Sequence, residues 1–332
     1  MAFPGRSSFC RLFPAWRRVP FRFAAIPAAW LPDVRRLPLR AFLAAAGLLA
    51  ALAAVAQDAP QPSTAAPGAA PSRVVTLGGS VTEIVYALGA GGLVVGSDQS
   101  SLYPEAVTRL PRVGYYRATP VEGVLALRPD LVLASEQAGP PASIERLREL
   151  GTHLVVVPDS PSVDSLRQRI RAVAGALGRG PEGERMLAEL DAQLRQAQAQ
   201  PAPKARALVL MNRTGMPQAA GEGTAADAVL RLAGLENALA GRQQGYKPLT
   251  AESLAALAPD IVIVTAASLP ATGGVGGVLA LPGLAGTPAG RAERIVAMDD
   301  LLVLGLGPRL PQALAELKAR AAEAMRTPPA GR

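Results

Sequence analysis

An α/β protein of two similar lobes, each a mainly parallel sheet flanked by helices and joined by a long helical spine, is the fold class that these 332 residues predict. Three observations predict it. Short β-branched runs alternate with helical patterns, which favours parallel sheets over hairpins. A helix-plus-strand unit occurs twice. A long stretch of helix formers lies between the two copies, with no Gly-Ser linker.

Along the chain, residues 1–56 read as a leader and signal peptide. They hold eight arginines and one acid, Asp33, and account for the excess of basic residues behind the net charge of +8. The body is nearly balanced, so a nucleic-acid-binding reading of it loses its support. Arg35, Arg36 and Arg40 precede an apolar run over 41–55, and Ala54-Val55-Ala56 supplies small residues for cleavage before Gln57. The run is shorter than the ~20 residues of a spanning helix, and no cysteine follows it to carry a lipid. Arg35-Arg36 resembles a twin-arginine signal, a match that Pro38 weakens. Residues 1–32 are atypical of a signal peptide and point to a start within residues 1–40. Residues 57–72, rich in Ala, Pro, Gln and Ser, read as a tether.

The first lobe is expected over 73–161, with strands at 73–77, 93–97, 131–134 and 153–157. Ser80-Val81-Thr82-Glu83 has the form of a capping box, opening a helix whose apolar positions are Val81, Ile84, Val85 and Leu88. An inter-lobe helix is expected over 162–203, interrupted near Gly178-Arg179-Gly180-Pro181. The second lobe follows over 204–332, with strands at 207–211, 261–265 and 294–298. The repeat links the lobes: Thr119 to Leu133 and Thr250 to Ile263 each place a Glu seven residues before Pro-Asp, and Pro-Asp enters an apolar strand.

Composition narrows the chemistry. All six Phe, both Trp and the one Cys, Cys10, precede residue 57, and His153 is the one histidine. Cysteine catalysis, disulfides and a multi-histidine metal site are thereby excluded from the body. Gly221-Glu222-Gly223 lacks the remaining residues of a nucleotide loop, and no Gly-x-Ser-x-Gly elbow occurs.

The body resembles the periplasmic substrate-binding proteins of ABC importers, in the class with a rigid inter-lobe helix, and within it the haem-binding proteins of bacterial haem uptake. The stretches that carry the resemblance run from about residue 73 to 325. They are Arg73-Val74-Val75-Thr76-Leu77-Gly78-Gly79-Ser80-Val81-Thr82-Glu83, Val113-Gly114-Tyr115-Tyr116-Arg117 with Glu122-Gly123, and Ala138-Gly139-Pro140. Gly223-Thr224-Ala225-Ala226-Asp227-Ala228, Tyr246-Lys247 before Ala251-Glu252-Ser253-Leu254, and Gly305-Leu306-Gly307-Pro308-Arg309 complete the set.

The resemblance implies that a tyrosine of a Gly-Tyr-x-Arg loop coordinates ferric haem iron, and here the loop is Gly114-Tyr115-Tyr116-Arg117. Fe(III) is hard and a phenolate is a hard anionic ligand. A free phenol has a pKa near ~10; iron and a cation such as Arg117 both favour the ionised form. Arg117 is alternatively a partner for a haem propionate. Either tyrosine can face the iron, and the family pattern favours Tyr115. Tyr246, Lys247 and Arg309 are candidate cleft residues, Arg213 and Tyr103 weaker ones; Tyr86 and His153 read as packing and strand-end residues.

The resemblance further implies that Glu122 and Glu252 meet arginines on the two subunits of an ABC permease, although helix capping alone accounts for Glu122. The expected protein is a periplasmic carrier and not an enzyme, with haem as cargo and the permease as partner. A binding protein for a corrinoid or ferric siderophore is the alternative, and an exported enzyme on a bilobed scaffold is a third reading.

Overall fold

Short apolar runs rich in β-branched residues form the longer strands. The computed structural model describes residues 70–212 and 216–326. The expected leader, most of the tether and Arg213 lie outside the described residues. In the first lobe β1 (Val74–Leu77), β2 (Val94–Ser97), β3 (Leu131–Ser135) and β4 (Leu154–Val157) form a parallel sheet ordered β2-β1-β3-β4. The central strands β1 and β3 are buried throughout, which is why they read as unbroken apolar runs.

The second sheet contains β5 (Arg206–Met211), β6 (Gln218–Ala220), β7 (Glu236–Asn237), β8 (Tyr246–Pro248), β9 (Ile261–Thr265) and β10 (Ile295–Met298). Its order is β10-β9-β5-β6-β8, with β7 also pairing β5. β10, β9, β5 and β7 are parallel, whereas β6 and β8 add an antiparallel edge. All seven expected strands form. β6, β7 and β8 were not expected; each is two or three residues long, too short for a period-2 pattern to show.

The helices are α1 (Gly79–Ala87), α2 (Val121–Ala126), α3 (Pro141–Glu149), α4 (Val163–Ala176), α5 (Gly180–Ala199) and α6 (Ala225–Leu232). They continue with α7 (Ala251–Leu257), α8 (Ser268–Ala271), α9 (Gly274–Leu279), α10 (Pro288–Arg291), α11 (Asp300–Leu304) and α12 (Leu310–Arg326). Val81, Ile84, Val85 and Leu88 all face the core, as the periodicity requires.

The expected capping box at Ser80 to Glu83 does not form, nor does the box Thr119-Pro120-Val121-Glu122 by which capping was expected to account for Glu122. α1 starts at Gly79, so Ser80 and Glu83 lie inside it. The loop after β2 supplies the acceptors instead: the Asp98 carboxylate accepts from the Gly78 N–H and the Ser100 hydroxyl from the Gly79 N–H, both at 3.0 Å. α2 starts at Val121, and the Thr119 hydroxyl donates to the Tyr116 carbonyl at 2.6 Å rather than capping. At α7, by contrast, the Thr250 hydroxyl accepts from the Ser253 N–H.

The repeat is real at the level of backbone geometry. Arg128 and Ala258, each two residues before the shared Asp, both adopt left-handed conformations, with φ of 46° and 44°. Asp130 then accepts from the Arg73 N–H, and Asp260 from the Arg206 N–H, each at 2.9 Å. In both lobes the Pro-Asp therefore ends a helix and aligns the neighbouring strand.

The stretch 162–203 is divided. Ser162 caps α4, accepting from the Ser165 N–H, and the chain breaks before Gly180. Arg167 pairs with Asp191 and Arg171 with Glu184, so α4 and α5 run antiparallel as a hairpin. α4 packs on α1 and β4, while α5 also packs on α12. The spine is thus α5 alone, 20 residues and roughly 30 Å long. Its far end is capped from the second lobe: the buried Lys318 ammonium donates to the carbonyls of Ala197, Gln198 and Gln200 at 2.7–2.9 Å.

Replacing Lys318 by Met leaves those carbonyls without their donor, and buried acceptors left unpaired cost about 1–3 kcal/mol. Urea unfolding of Lys318→Met should show a loss of that size; an unchanged midpoint would mean that solvent replaces the ammonium.

Candidate functional site

Strands that run parallel deliver their carboxyl ends to one edge, where loops can hold a ligand. Here those ends face each other across the lobes. The first lobe contributes Gly79 and Ser80 after β1, Ser100 after β2, Gln137 after β3 and Asp159, Ser160 and Pro161 after β4. The second contributes Met211 from β5, with Gly223, Ala225, Tyr246, Leu301, Leu304 and Leu306. The cleft they line has a volume of ≈ 180 Å³, and Tyr115 stands in it. One wall is mostly polar and the other mostly apolar.

The tyrosine loop is held from several sides. Gly114, at φ 95°, takes a conformation open to glycine, and a Cβ there would press on Pro120 at 3.1 Å. Gly114 O accepts from the Gln99 N–H at 2.7 Å, and Tyr116 O from the Gly139 N–H at 2.9 Å. Asp98, buried, accepts from Gly78, Ser100 and Ser101 and more weakly from the Tyr116 N–H at 3.4 Å. The start of α1, the Tyr115 loop and the Ala138-Gly139-Pro140 turn therefore form one hydrogen-bonded unit.

Adjacent tyrosines in this loop have different surroundings. Tyr115 is 38% exposed and lines the cleft. Tyr116 packs on the core under the first sheet, with its ring 5.0 Å from that of Tyr115 in an edge-on arrangement. Burial pushes the Tyr116 phenol far above its ordinary value, against the opposing pull of Arg117. Arg117 lies over the Tyr116 ring at 5.1 Å and donates to Gln137 Oε1 at 2.8 Å. Tyr246 is half-buried in the opposite wall; burial raises its phenol, which Thr224 and the Ala226 backbone engage.

The cleft floor is ionic. Arg169, on α4, is fully buried and pairs with Asp159. It donates through Nε to the Pro158 carbonyl at 2.6 Å and through Nη1 to Ser80 Oγ at 2.7 Å. A longer contact, 3.4 Å, reaches the Leu306 carbonyl in the second lobe. Asp159 also accepts from the Ser135 hydroxyl at 2.6 Å. Burial holds the Asp159 carboxyl above its ordinary value despite Arg169 and Ser135, and burial pushes Arg169 down.

Of the candidate residues, the structure brings together Tyr115, Tyr116, Arg117 and Tyr246. Lys247 follows Tyr246 on β8 and, by strand alternation, points to the opposite face. Arg309 does not line the cleft, because it is drawn away to the buried Glu83 and to Asp299. Tyr103 stacks on Arg309 at 3.7 Å instead of facing the cleft. His153 precedes β4, at the end of the sheet opposite the cleft. Glu122 and Glu252 are both exposed, each in the first turn of its helix; the Glu252 carboxyl is lowered by its own backbone N–H and by Thr250.

Sequence reasoning missed Asp98, Asp159, Arg169 and Met211. Each had a signal. Asp98 and Asp159 are the first acids after apolar strands, and Arg169 shares a helical stripe with Leu166, Ile170 and Val173, where an arginine needs a buried partner. Among the described residues no cluster of three or more His, Cys, Asp or Glu could hold a metal ion, and no helix is long and apolar enough to cross a membrane.

Comparison with known proteins agrees with this architecture. The periplasmic binding protein family model matches residues 74–302. The chain belongs to that family. The periplasmic heme-binding protein RhuT from Roseiflexus sp. RS-1, in apo form, is 42% identical, with a TM-score of 0.73 over 77% of this chain and 99% of that one. An uncharacterized ABC transporter substrate-binding lipoprotein of Bacillus subtilis, YvrC, is 29% identical over 74% of this chain and 79% of its own length. The vitamin B12-binding protein of Yersinia pestis is 29% identical over 60% of this chain and 71% of its own. The resemblance to haem-binding proteins of ABC importers and the two-lobe α/β fold are thereby borne out.

A pH effect follows from the raised carboxyls of Asp159 and Glu83, both due chiefly to burial. Each holds its proton to higher pH in the folded than in the unfolded chain. The stability they contribute is complete below the ordinary carboxylate range, about 4, and is lost as pH rises through their folded values. Asp159→Asn should therefore flatten the dependence of melting temperature on pH across the acid range. An unaltered slope would show that Asp159 titrates as an ordinary carboxylate.

Proposed function

We propose that the protein captures ferric haem in the inter-lobe cleft and delivers it, in the periplasm, to the permease of an ABC importer. The observation that carries this reading is the exposed Tyr115 phenol, set in the cleft by a rigid loop and faced by an apolar wall. The similarity to a periplasmic heme-binding protein supports it. Tyr115 is the axial ligand: its exposure leaves the phenol oxygen accessible from the cleft, whereas burial of Tyr116 favours its neutral form. Arg117, held by Gln137, supplies positive charge for the phenolate or for a propionate. Met211, Leu301 and Leu304 pack on the macrocycle. The protein acts as a carrier and not an enzyme.

Tyr115→Ala should strongly weaken hemin binding and abolish the tyrosinate charge-transfer band, with a smaller effect for Tyr116→Phe. Arg117→Ala should cost less, roughly 0–1 kcal/mol, since exposed charge pairs contribute little. Absorbance titration with hemin checks the series, and an unchanged Tyr115→Ala spectrum would overturn the assignment. A thermal shift with cobalamin but no spectral response to hemin would instead favour a corrinoid, the ligand class of the Yersinia relative.

Glu122 and Glu252 dock the permease. Equivalent helices present one exposed carboxylate from each lobe, suited to a partner with two-fold symmetry, and the unformed capping box leaves Glu122 without that structural task. Glu122→Lys with Glu252→Lys should preserve hemin affinity and abolish uptake in reconstituted vesicles, since like charges across an interface cost several kcal/mol. Normal uptake by the folded double variant would exclude docking through these residues.

A further inference from the structure

Behind the cleft, on the other side of the inter-lobe contact, lies a second cavity of ≈ 700 Å³ that shares no lining residue with the first. Glu83, Tyr103 and Arg309 line it, against the α5 wall. Glu83 belongs to the first lobe, on α1, and Arg309 to the second, just before α12. Both Arg309 Nε and Nη2 donate to Glu83 Oε1, and Nη2 also reaches Asp299 at 3.3 Å. The side chains are 3% and 16% exposed, so the pair is scarcely screened by water. The Tyr103 ring covers the guanidinium at 3.7 Å, an added cation–π contact.

The position of this pair relates it to the cleft. Gly79 and Ser80 line the cleft one helical turn before Glu83, and Gly305 and Leu306 line it just before Arg309. Between them the lobes touch: a Cβ on Gly307 would lie 2.7 Å from Glu83 Oε2, and Arg169 ties Ser80 to the Leu306 carbonyl. This contact is a fulcrum with the cargo cleft on one side and the ion pair on the other. Any rocking that widens or narrows the cleft must stretch or compress the pair. Two guanidinium N–H groups converging on one carboxylate oxygen, a charge-assisted contact, allow little of either.

We propose that Glu83 and Arg309, stacked on Tyr103, form a clamp that fixes the width of the cargo cleft from behind. The proposal rests on the cleft being the cargo site. Its residues are positioning residues and touch no cargo. The same assignment explains why an arginine of the Gly-Leu-Gly-Pro-Arg segment is absent from the cleft wall.

Nitroxide labels on Ala142→Cys and Ala256→Cys, exposed sites on α3 and α7, report the inter-lobe distance in a Cys10→Ser background. Glu83→Gln, Arg309→Lys and Tyr103→Ala should each broaden the apo distance distribution. Each should also speed hemin release to apomyoglobin, by about five-fold or more for the two ion-pair variants, without altering the hemin spectrum. If the variants melt lower but keep the parental distribution, the pair is merely structural and the clamp is overturned. Should Glu83→Gln fail to fold, Tyr103→Ala decides, since its side chain is exposed and dispensable to the core: broadening supports the clamp, and none overturns it. Failure of the parental protein to bind hemin would sink the cargo reading, while the apo distances would still decide the clamp.

Discussion

A guanidinium with no contact to solvent, that of Arg169, sits where the two lobes and the cleft meet. Desolvating such a charge is costly unless its donors are matched. The surroundings match them with Asp159, the Pro158 carbonyl, Ser80 and the Leu306 carbonyl. Because these acceptors come from the end of β4, the start of α1 and the segment after α11, the requirement for charge satisfaction dictates where those pieces stand. The cleft floor is therefore ionic yet internally neutralised, and a cargo resting on it meets a carboxylate already committed to a partner.

The cleft distributes its chemistry unevenly. In the first lobe, parallel strands end in polar loops gathered by Asp98 and Asp159. In the second, the antiparallel additions β6 and β8 extend the sheet and carry Tyr246 to the opposite wall. Two halves with a common helix–strand unit thus present unlike faces, one mostly of hydrogen-bonding groups and one mostly of Met, Leu and Ala around Tyr246 and Asp300. Such a pair of walls suits a flat, largely apolar ligand with a reactive centre on one face. The adjacent tyrosines divide their work by burial: Tyr116 anchors the loop, which leaves Tyr115 presented in the cleft.

Rigidity in this architecture has several sources. α5 crosses between the lobes as a single helix, fastened at one end by the hairpin with α4 and at the other by Lys318. Long helices kink sharply only where something breaks their hydrogen-bond ladder. The break at Gly178-Arg179 falls before α5 begins and turns the chain back on itself, so it does not weaken the crossing. The ion pair behind the cleft adds a second, side-chain connection between lobes at a distance from the helix.

The Gly114-Tyr115-Tyr116-Arg117 loop was marked by the resemblance to haem-binding proteins, whereas periodicity, spacing and composition alone determined the alternation of strands and helices and the duplicated Pro-Asp unit. These are local properties: a buried parallel strand must be apolar throughout, and a helix must show its stripe, whatever the rest of the chain does. Tertiary structure decided what each polar residue is for. Ser80 and Glu83 have the spacing of caps, yet their partners are Arg169 and Arg309, supplied from elsewhere in the fold, while Thr119 turns back to the Tyr116 carbonyl of its own loop. The different burial of Tyr115 and Tyr116 was likewise closed to periodicity, since neighbours in a loop have none. Arg309 looked like a cleft residue until a carboxylate 226 positions away claimed it. Hydrogen bonds and ion pairs are satisfied by whichever group the fold brings within reach, and that is set by packing across lobes rather than by neighbours along the chain.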